Sequence, residues 1–217
     1  MADFVTARTR MVDNQLRASN VMDHRILAVM GEVAREAFLP VDQAALAYAD
    51  VAHALGDGRY LAPPAPFARL LQLAEIQHTD TVLDIGTGTG YSAAVLARLG
   101  ASVTALESVP TLADTARANL AAAGVVNATV VAGPLDGVAL PAGAFDVVIV
   151  EGTLDSEPTG LFRLLADGGR LVALIGNGGA AVAHVFVRAG EEVAGRAEFN
   201  TTLPRLALAP KAEAFVF

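Results

Sequence analysis

The apolar run Val82, Leu83, Asp84, Ile85 breaks into Gly86, Thr87, Gly88, Thr89, Gly90 and Tyr91, a turn with glycine at every second position. Glycine takes φ > 0 without steric cost and lets the backbone approach a ligand closely. The helix expected over 91–99 would aim its partly positive N-terminus at the same point. Such a turn suits capture of a nucleotide-type cofactor, and the spacing narrows the choice. Dinucleotide folds use G-x-G-x-x-G, in which the third glycine lets helix pack on strand beneath a pyrophosphate; here Tyr91 holds that place and the third glycine is Gly90. Glu107 follows Gly86 by twenty-one positions, at the end of the strand expected over 102–106. An ionised carboxylate there accepts from both hydroxyls of a ribose, whichever nucleoside carries it. Asp84 lies inside an otherwise apolar strand, where an unpaired carboxylate costs several kcal/mol, so it is expected to face the turn amides or a cationic ligand group.

These residues need a scaffold that brings strand ends together. From Thr81 onward, short β-branched runs alternate with helical patterns: strands over 81–85, 102–106, 127–131, 145–150 and 170–175, with helices over 91–99, 111–123 and 158–166 between them. Gly100 and Gly124 mark helix ends, Pro110 suits a first helical turn, and Asp167-Gly168-Gly169 is expected to stop the last helix. Unbroken apolar strands mean burial on both faces. The fold class is therefore α/β, a doubly wound and mainly parallel sheet with its ligand crevice at the carboxyl ends of the strands. The C-terminal part changes rhythm: 181–188 and 193–202, separated by Gly190-Glu191-Glu192, read as hairpin-like antiparallel edge strands, and Ala214-Phe215-Val216-Phe217 continues that pattern. Upstream, 4–19 and 23–33 show helical spacing with Asp23 as N-cap, a helical extension before the core. Pro63-Pro64-Ala65-Pro66 is a stiff connector whose last proline is expected to open a helix over 67–74. The expected division is 1–66, extension and substrate-side segment, and 67–217, cofactor-binding core, in one structural unit.

With 217 residues, 53% of them hydrophobic, the chain has ample material for one core. A net charge of −8 with no basic run argues against nucleic acid as partner. The N-terminal arginines Arg8, Arg10, Arg17, Arg25 and Arg35 lie among acids and read as a mixed, solvated face. No apolar run reaches the ~18 residues of a membrane span, and the N-terminus lacks a signal peptide's apolar centre, so a cytoplasmic location without membrane contact is expected. The absence of cysteine excludes disulfides and thiolate chemistry, and His24, His53, His78 and His184 lack metal-ligand spacing, so no metal is expected.

The D-x-G-x-G-x-G form at Asp84 to Gly90 resembles the first motif of S-adenosylmethionine-dependent methyltransferases, whose Rossmann-like fold closes a parallel sheet with an antiparallel pair. A longer resemblance, to protein-L-isoaspartate O-methyltransferases, runs through Arg10-Met11-Val12-Asp13-Asn14-Gln15-Leu16-Arg17, Asp23 to Met30, Ala34-Arg35-Glu36-Ala37-Phe38-Leu39-Pro40 and Ala47-Tyr48-Ala49-Asp50. Pro141 to Asp146 and Gly168 to Val172 also look like family segments. The resemblance implies a protein-repair enzyme that converts isoaspartyl carboxylates of damaged proteins or peptides to methyl esters, with S-adenosylhomocysteine as product. It implies a donor pocket of Asp84, Gly86, Thr87, Gly88, Gly90, Tyr91, Glu107 and Glu151, with Tyr60, Leu61 and Ala62 on the acceptor side. Two positions depart from the family pattern. Ala62 stands where members carry an active-site Ser or Thr, so no catalytic residue is assignable. Gly133-Pro134-Leu135 replaces a Gly-Asp-Gly whose acid meets the adenine amine, leaving Asp136 or the backbone around Leu135 for that contact.

A carboxylate nucleophile with a pKa near ~4 is ionised at neutral pH and needs no general base, so in-line positioning against the sulfonium methyl carries the reaction. Methylating a hydroxyl or amine would need a base, for which Glu151 is the only candidate near the crevice. A relative with a different acceptor and a non-catalytic binder of the same donor are the alternative readings.

Overall fold

The computed structural model describes residues 3–177 and 180–208. Ala214 to Phe217, expected to extend the edge strands, lie outside the described residues. The N-terminal layer comprises α1 (Phe4–Met11), continued by a π-helical turn (Val12–Leu16) and a 3-10 turn (Arg17–Ser19), and α2 (His24–Glu32). Asp23 caps α2 by accepting from the Arg25 amide, as expected. A short hairpin follows, β1 (His53–Gly56) and β2 (Arg59–Leu61), then α3 (Pro64–Ala74). The core alternates β3 (Thr81–Ile85), α4 (Tyr91–Leu96), β4 (Ser102–Glu107), α5 (Pro110–Ala122), β5 (Ala128–Ala132), β6 (Phe145–Leu154), β7 (Leu165–Asn177), β8 (Ala180–Ala189) and β9 (Glu192–Thr201).

The main sheet has the order β5-β4-β3-β6-β7-β8-β9, parallel through β7 and antiparallel beyond it. The chain winds outward from β3 through β4 to β5, then returns to lay β6 on the other side of β3. That reversal opens the crevice at the carboxyl ends of β3 and β6. Strand alternation fills both faces. Val82, Val103, Val147, Ile149 and Val172 pack on the side of α3, α4 and the N-terminal layer, whereas Leu83, Ile85, Leu106, Val148 and Val150 pack on the other.

Several expected boundaries move. The helix expected from Phe67 begins at Pro64: both prolines fall in the first turn, where amides have no intrahelical partner. The helix expected over 91–99 stops at Leu96 and tightens into turns ending at Gly100. The helix expected over 158–166 is a 3-10 stretch, Thr159–Leu164, and Asp167-Gly168-Gly169 belongs to β7 as a bulge with Gly168 at φ 76°. Arg188 and Asp167 explain the change, since Arg188 donates to the Leu165 carbonyl (2.7 Å) and Asp167 accepts from the Gly190 amide (2.7 Å), tying the segment to the β8–β9 turn.

The N-terminal arginines are not one solvated face. Arg17 and Arg25 are exposed against Asp13 and Asp23. Arg8 is largely covered, on Glu36 (3.1 Å) and Tyr48 (2.8 Å), and Arg35 is fully buried. Burial of Arg35 is compensated by the carbonyls of Ala47 and Ala62 and by the Tyr91 ring, 4.9 Å from the guanidinium carbon.

Candidate active site

Gly86, Gly88 and Gly90 adopt φ of 85°, 58° and 94°, so the turn leaving β3 uses the left-handed conformations that its sequence allows. Its amides are already committed: Gly86 and Thr87 donate to the Leu106 carbonyl (2.9 and 3.3 Å) and Gly88 to Glu107 Oε2 (2.9 Å). Glu107, buried at the end of β4, accepts at Oε1 from the amides of Ser108 (2.8 Å) and Val109 (3.0 Å) and from Arg59 Nε (3.0 Å). Thr87 meets Ser92 (3.3 Å), and Thr89 donates to the Phe38 carbonyl (2.6 Å), fastening the turn to the N-terminal layer.

Asp84 takes none of the turn amides. Its Oδ2 accepts from the Ser92 hydroxyl (2.6 Å), and its Oδ1 is buried without a partner. Glu151 lies at an irregularity where Ile149 to Thr153 of β6 spans only Val172 to Leu174 of β7, which turns its carboxyl inward. Glu151 Oε1 is likewise buried and unpartnered. Burial, with the charge of Glu107 adding to it, pushes Asp84 up to about 6 despite the Ser92 and Thr87 hydroxyls; burial and then Asp84 hold Glu151 well above the usual carboxylate range, against the pull of Arg35. Arg35 Nη1 and the Tyr91 hydroxyl are buried without hydrogen bonds of normal geometry. The cluster thus presents unmet acceptors on two acids and, on a guanidinium and a phenol that face one another, donors held outside normal hydrogen-bond geometry, the complement of the ammonium and carboxylate of an amino acid. The amino-acid end of S-adenosylmethionine fits that donor and acceptor set.

A pH dependence follows. Below about pH 4, Asp84 is protonated folded or unfolded; between about 4 and 6 only the unfolded chain ionises, so stability falls by on the order of 3 kcal/mol and stays lower above that window. Glu151, raised mainly by burial, adds a fall of the same sign, so Asp84→Asn is expected to make the decline smaller without abolishing it, read by urea unfolding at pH 4 and pH 7.

Of the other expected site residues, Leu135 is buried in the core beside Leu106, and Asp136 is exposed, accepting from the Val138 amide (3.0 Å). Tyr60 is exposed on β2, while Leu61 and Ala62 are buried, the Ala62 carbonyl bonded to Arg35. Sequence reasoning missed the covering elements. The β1–β2 hairpin lays Leu55 against Gly88, where an added Cβ would come within 2.7 Å of it. The segment 203–206 bonds to Thr153, through Thr153 N to the Pro204 carbonyl (2.9 Å) and Leu206 N to the Thr153 carbonyl (2.9 Å), and places Leu206 against Gly86 and Gly152. Beside them opens a cleft of about 650 Å³ lined by residues 57–59, 154–158 and 205–208.

A doubly wound sheet closed by an antiparallel pair, with a three-glycine turn after its first strand and an acid closing the next, defines a class I S-adenosylmethionine-dependent methyltransferase. The family model described as protein-L-isoaspartate(D-aspartate) O-methyltransferase matches residues 6–203, and the chain belongs to that family. It is similar to the protein-L-isoaspartate O-methyltransferases of Methylorubrum populi, 40% identical over 188 residues (86% of this chain, 87% of the relative), and of Methanoculleus marisnigri, 40% identical over 169 residues (78% and 77%). In fold it resembles a Plasmodium falciparum protein-L-isoaspartate O-methyltransferase solved with S-adenosyl-L-homocysteine, with TM-score 0.77 and 19% identity over 92% of this chain and 98% of that one. Its cofactor is S-adenosylmethionine. Among the described residues no helix is long and apolar enough to cross a membrane, and no group of three or more His, Asp or Glu side chains could hold a metal ion.

Proposed function

We propose that this chain methylates the free carboxylate of isoaspartyl residues in damaged proteins or peptides. The observation that carries this reading is the family match over residues 6–203, which takes in the N-terminal layer and the β1–β2 hairpin as well as the glycine turn. S-adenosylmethionine supplies a sulfonium methyl already activated for transfer. The protein then has to position and desolvate. Asp84 and Glu151 receive the donor's ammonium, Arg35 and Tyr91 its carboxylate, and Glu107 its ribose hydroxyls; Leu135 and Asp136 border the adenine. Leu55 and Leu206 exclude water from the turn. The acceptor carboxylate needs no base, so holding oxygen, carbon and sulfur in line is worth up to ~7–11 kcal/mol. We place the 1–66 segment, with Tyr60, Leu61 and Ala62, on the acceptor side, and the activity in the cytoplasm on protein substrates, without nucleic acid or membrane; the charge of −8 supports the exclusion of nucleic acid.

The test is methyl ester formation on a synthetic isoaspartyl peptide against its aspartyl counterpart. Methyl ester on the isoaspartyl peptide alone is expected, and none on it while donor binding persists rejects this acceptor. Ala62→Ser restores a hydroxyl whose hydrogen bond is worth about 1–3 kcal/mol, so kcat/KM on that peptide is expected to rise roughly tenfold. A second reading, a different carboxylate as acceptor, rests on the Ala62 methyl itself; an unchanged kcat/KM in Ala62→Ser would favour it.

A further inference from the structure

Glu107 accepts from the amides of Gly88, Ser108 and Val109 and from Arg59 Nε. Three of these bonds fall on Oε1 and one on Oε2, so Oε2 keeps one open lone-pair direction while Oε1 is crowded, and a ribose diol that bonds both oxygens needs the place Arg59 holds on Oε1. Three of the donors are backbone amides fixed by the glycine turn and the entry to α5. Arg59 alone is a side chain that can leave. It follows the Gly56-Asp57-Gly58 turn of the hairpin, with Nη2 on the Ser108 hydroxyl (2.7 Å) and its side chain only 10% exposed.

Arg59 also lines the neighbouring cleft. That cleft contains Asp57, Asp155 and Glu157, and its other cation, Arg205, is paired with Asp155. Among the described residues, an anionic acceptor entering it meets acids and no free cation while Arg59 stays on Glu107. The geometry points to Arg59 as a two-position residue, bound to Glu107 until the donor's ribose displaces it and then turned into the cleft to bind the acceptor carboxylate. This rests on the carboxylate-methylating function proposed above. Donor and acceptor affinities are then coupled, each tightening the other by the same factor.

Arg59→Met tests it. Calorimetric titration with S-adenosylhomocysteine is expected to show binding about tenfold tighter than in the parent, because an internal competitor for Glu107 is gone. For the isoaspartyl peptide, KM is expected to rise about tenfold or more with kcat within about threefold, the split of a binding contact rather than a structural one. Saturating S-adenosylhomocysteine is expected to tighten peptide binding to the parent but not to the variant. Arg59→Lys, which keeps the charge, is expected to fall between the two and stands in should the methionine variant fail to fold. Weaker or unchanged S-adenosylhomocysteine binding in the variant overturns the inference, as does an unchanged peptide KM. The titration with S-adenosylhomocysteine needs no acceptor: if the parent methylates no isoaspartyl peptide, the function proposed above fails, while the titration still decides whether Arg59 competes for Glu107.

Discussion

Glu107→Gln is expected to weaken S-adenosylhomocysteine binding by about 100-fold or more and to lower the thermal midpoint by on the order of 10 °C. Glu107 is fully buried and joins the glycine turn, through the Gly88 amide, to the entry of α5, through Ser108 and Val109. Glutamine keeps one acceptor oxygen and turns an NH2 toward groups that are themselves donors. At least one buried amide is left unsatisfied, at about 1–3 kcal/mol each, and Arg59 loses its counter-charge. The donor's two ribose hydroxyls lose an anionic acceptor, at roughly 1.5–3 kcal/mol per bond, which sets the expected loss of affinity. Calorimetry and a thermal melt on one preparation separate the two effects. A variant binding the product within about threefold of the parent would remove Glu107 from the donor site.

The second large effect concerns the turn itself. Gly90 lies at φ 94°, and a Cβ there would come within 3.2 Å of the Ala116 Cβ and 3.3 Å of its Cα on α5. Gly90→Ala therefore adds strain in a left-handed conformation, about 1–2 kcal/mol, to an overpacking cost of about 1–3 kcal/mol against a helix backbone that cannot turn aside. Gly124→Ala is the control, since Gly124 has φ 68° but nothing within 4 Å of the added methyl. Only the conformational term applies there, so urea unfolding is expected to show a loss of about 1 kcal/mol for Gly124→Ala and about 2–5 kcal/mol for Gly90→Ala. Equal losses would mean that close approach of the turn to α5 carries no energy.

Much of this arrangement is legible in the chain. Val82 to Ile85 and Val147 to Val150 are apolar at every position but Asp84, which requires burial on both faces and hence a parallel sheet; the two core clusters divide those residues by parity. The acid at Asp84 stands out because nothing else charged is in that strand. What escaped reading depends on long-range contacts. Arg59 and Glu107 are 48 positions apart, and no spacing rule links a hairpin arginine to a strand-end acid. Arg35 looked solvated because acids surround it in sequence, yet its partners are carbonyls 12 and 27 positions away. The β1–β2 hairpin carried a signal in Gly56-Asp57-Gly58, but strands of four and three residues give too short an alternation to register. The 203–206 segment has no periodicity; one backbone pairing with Thr153 defines it.

A crystal structure with S-adenosylhomocysteine decides whether the glycine turn and Glu107 hold the donor. The expected result is the nucleoside over Gly86 to Gly90, both ribose hydroxyls on Glu107 and the amino-acid end among Asp84, Glu151, Arg35 and Tyr91. Product bound elsewhere, or bound at the turn with its ribose off Glu107, would remove these residues from the donor site.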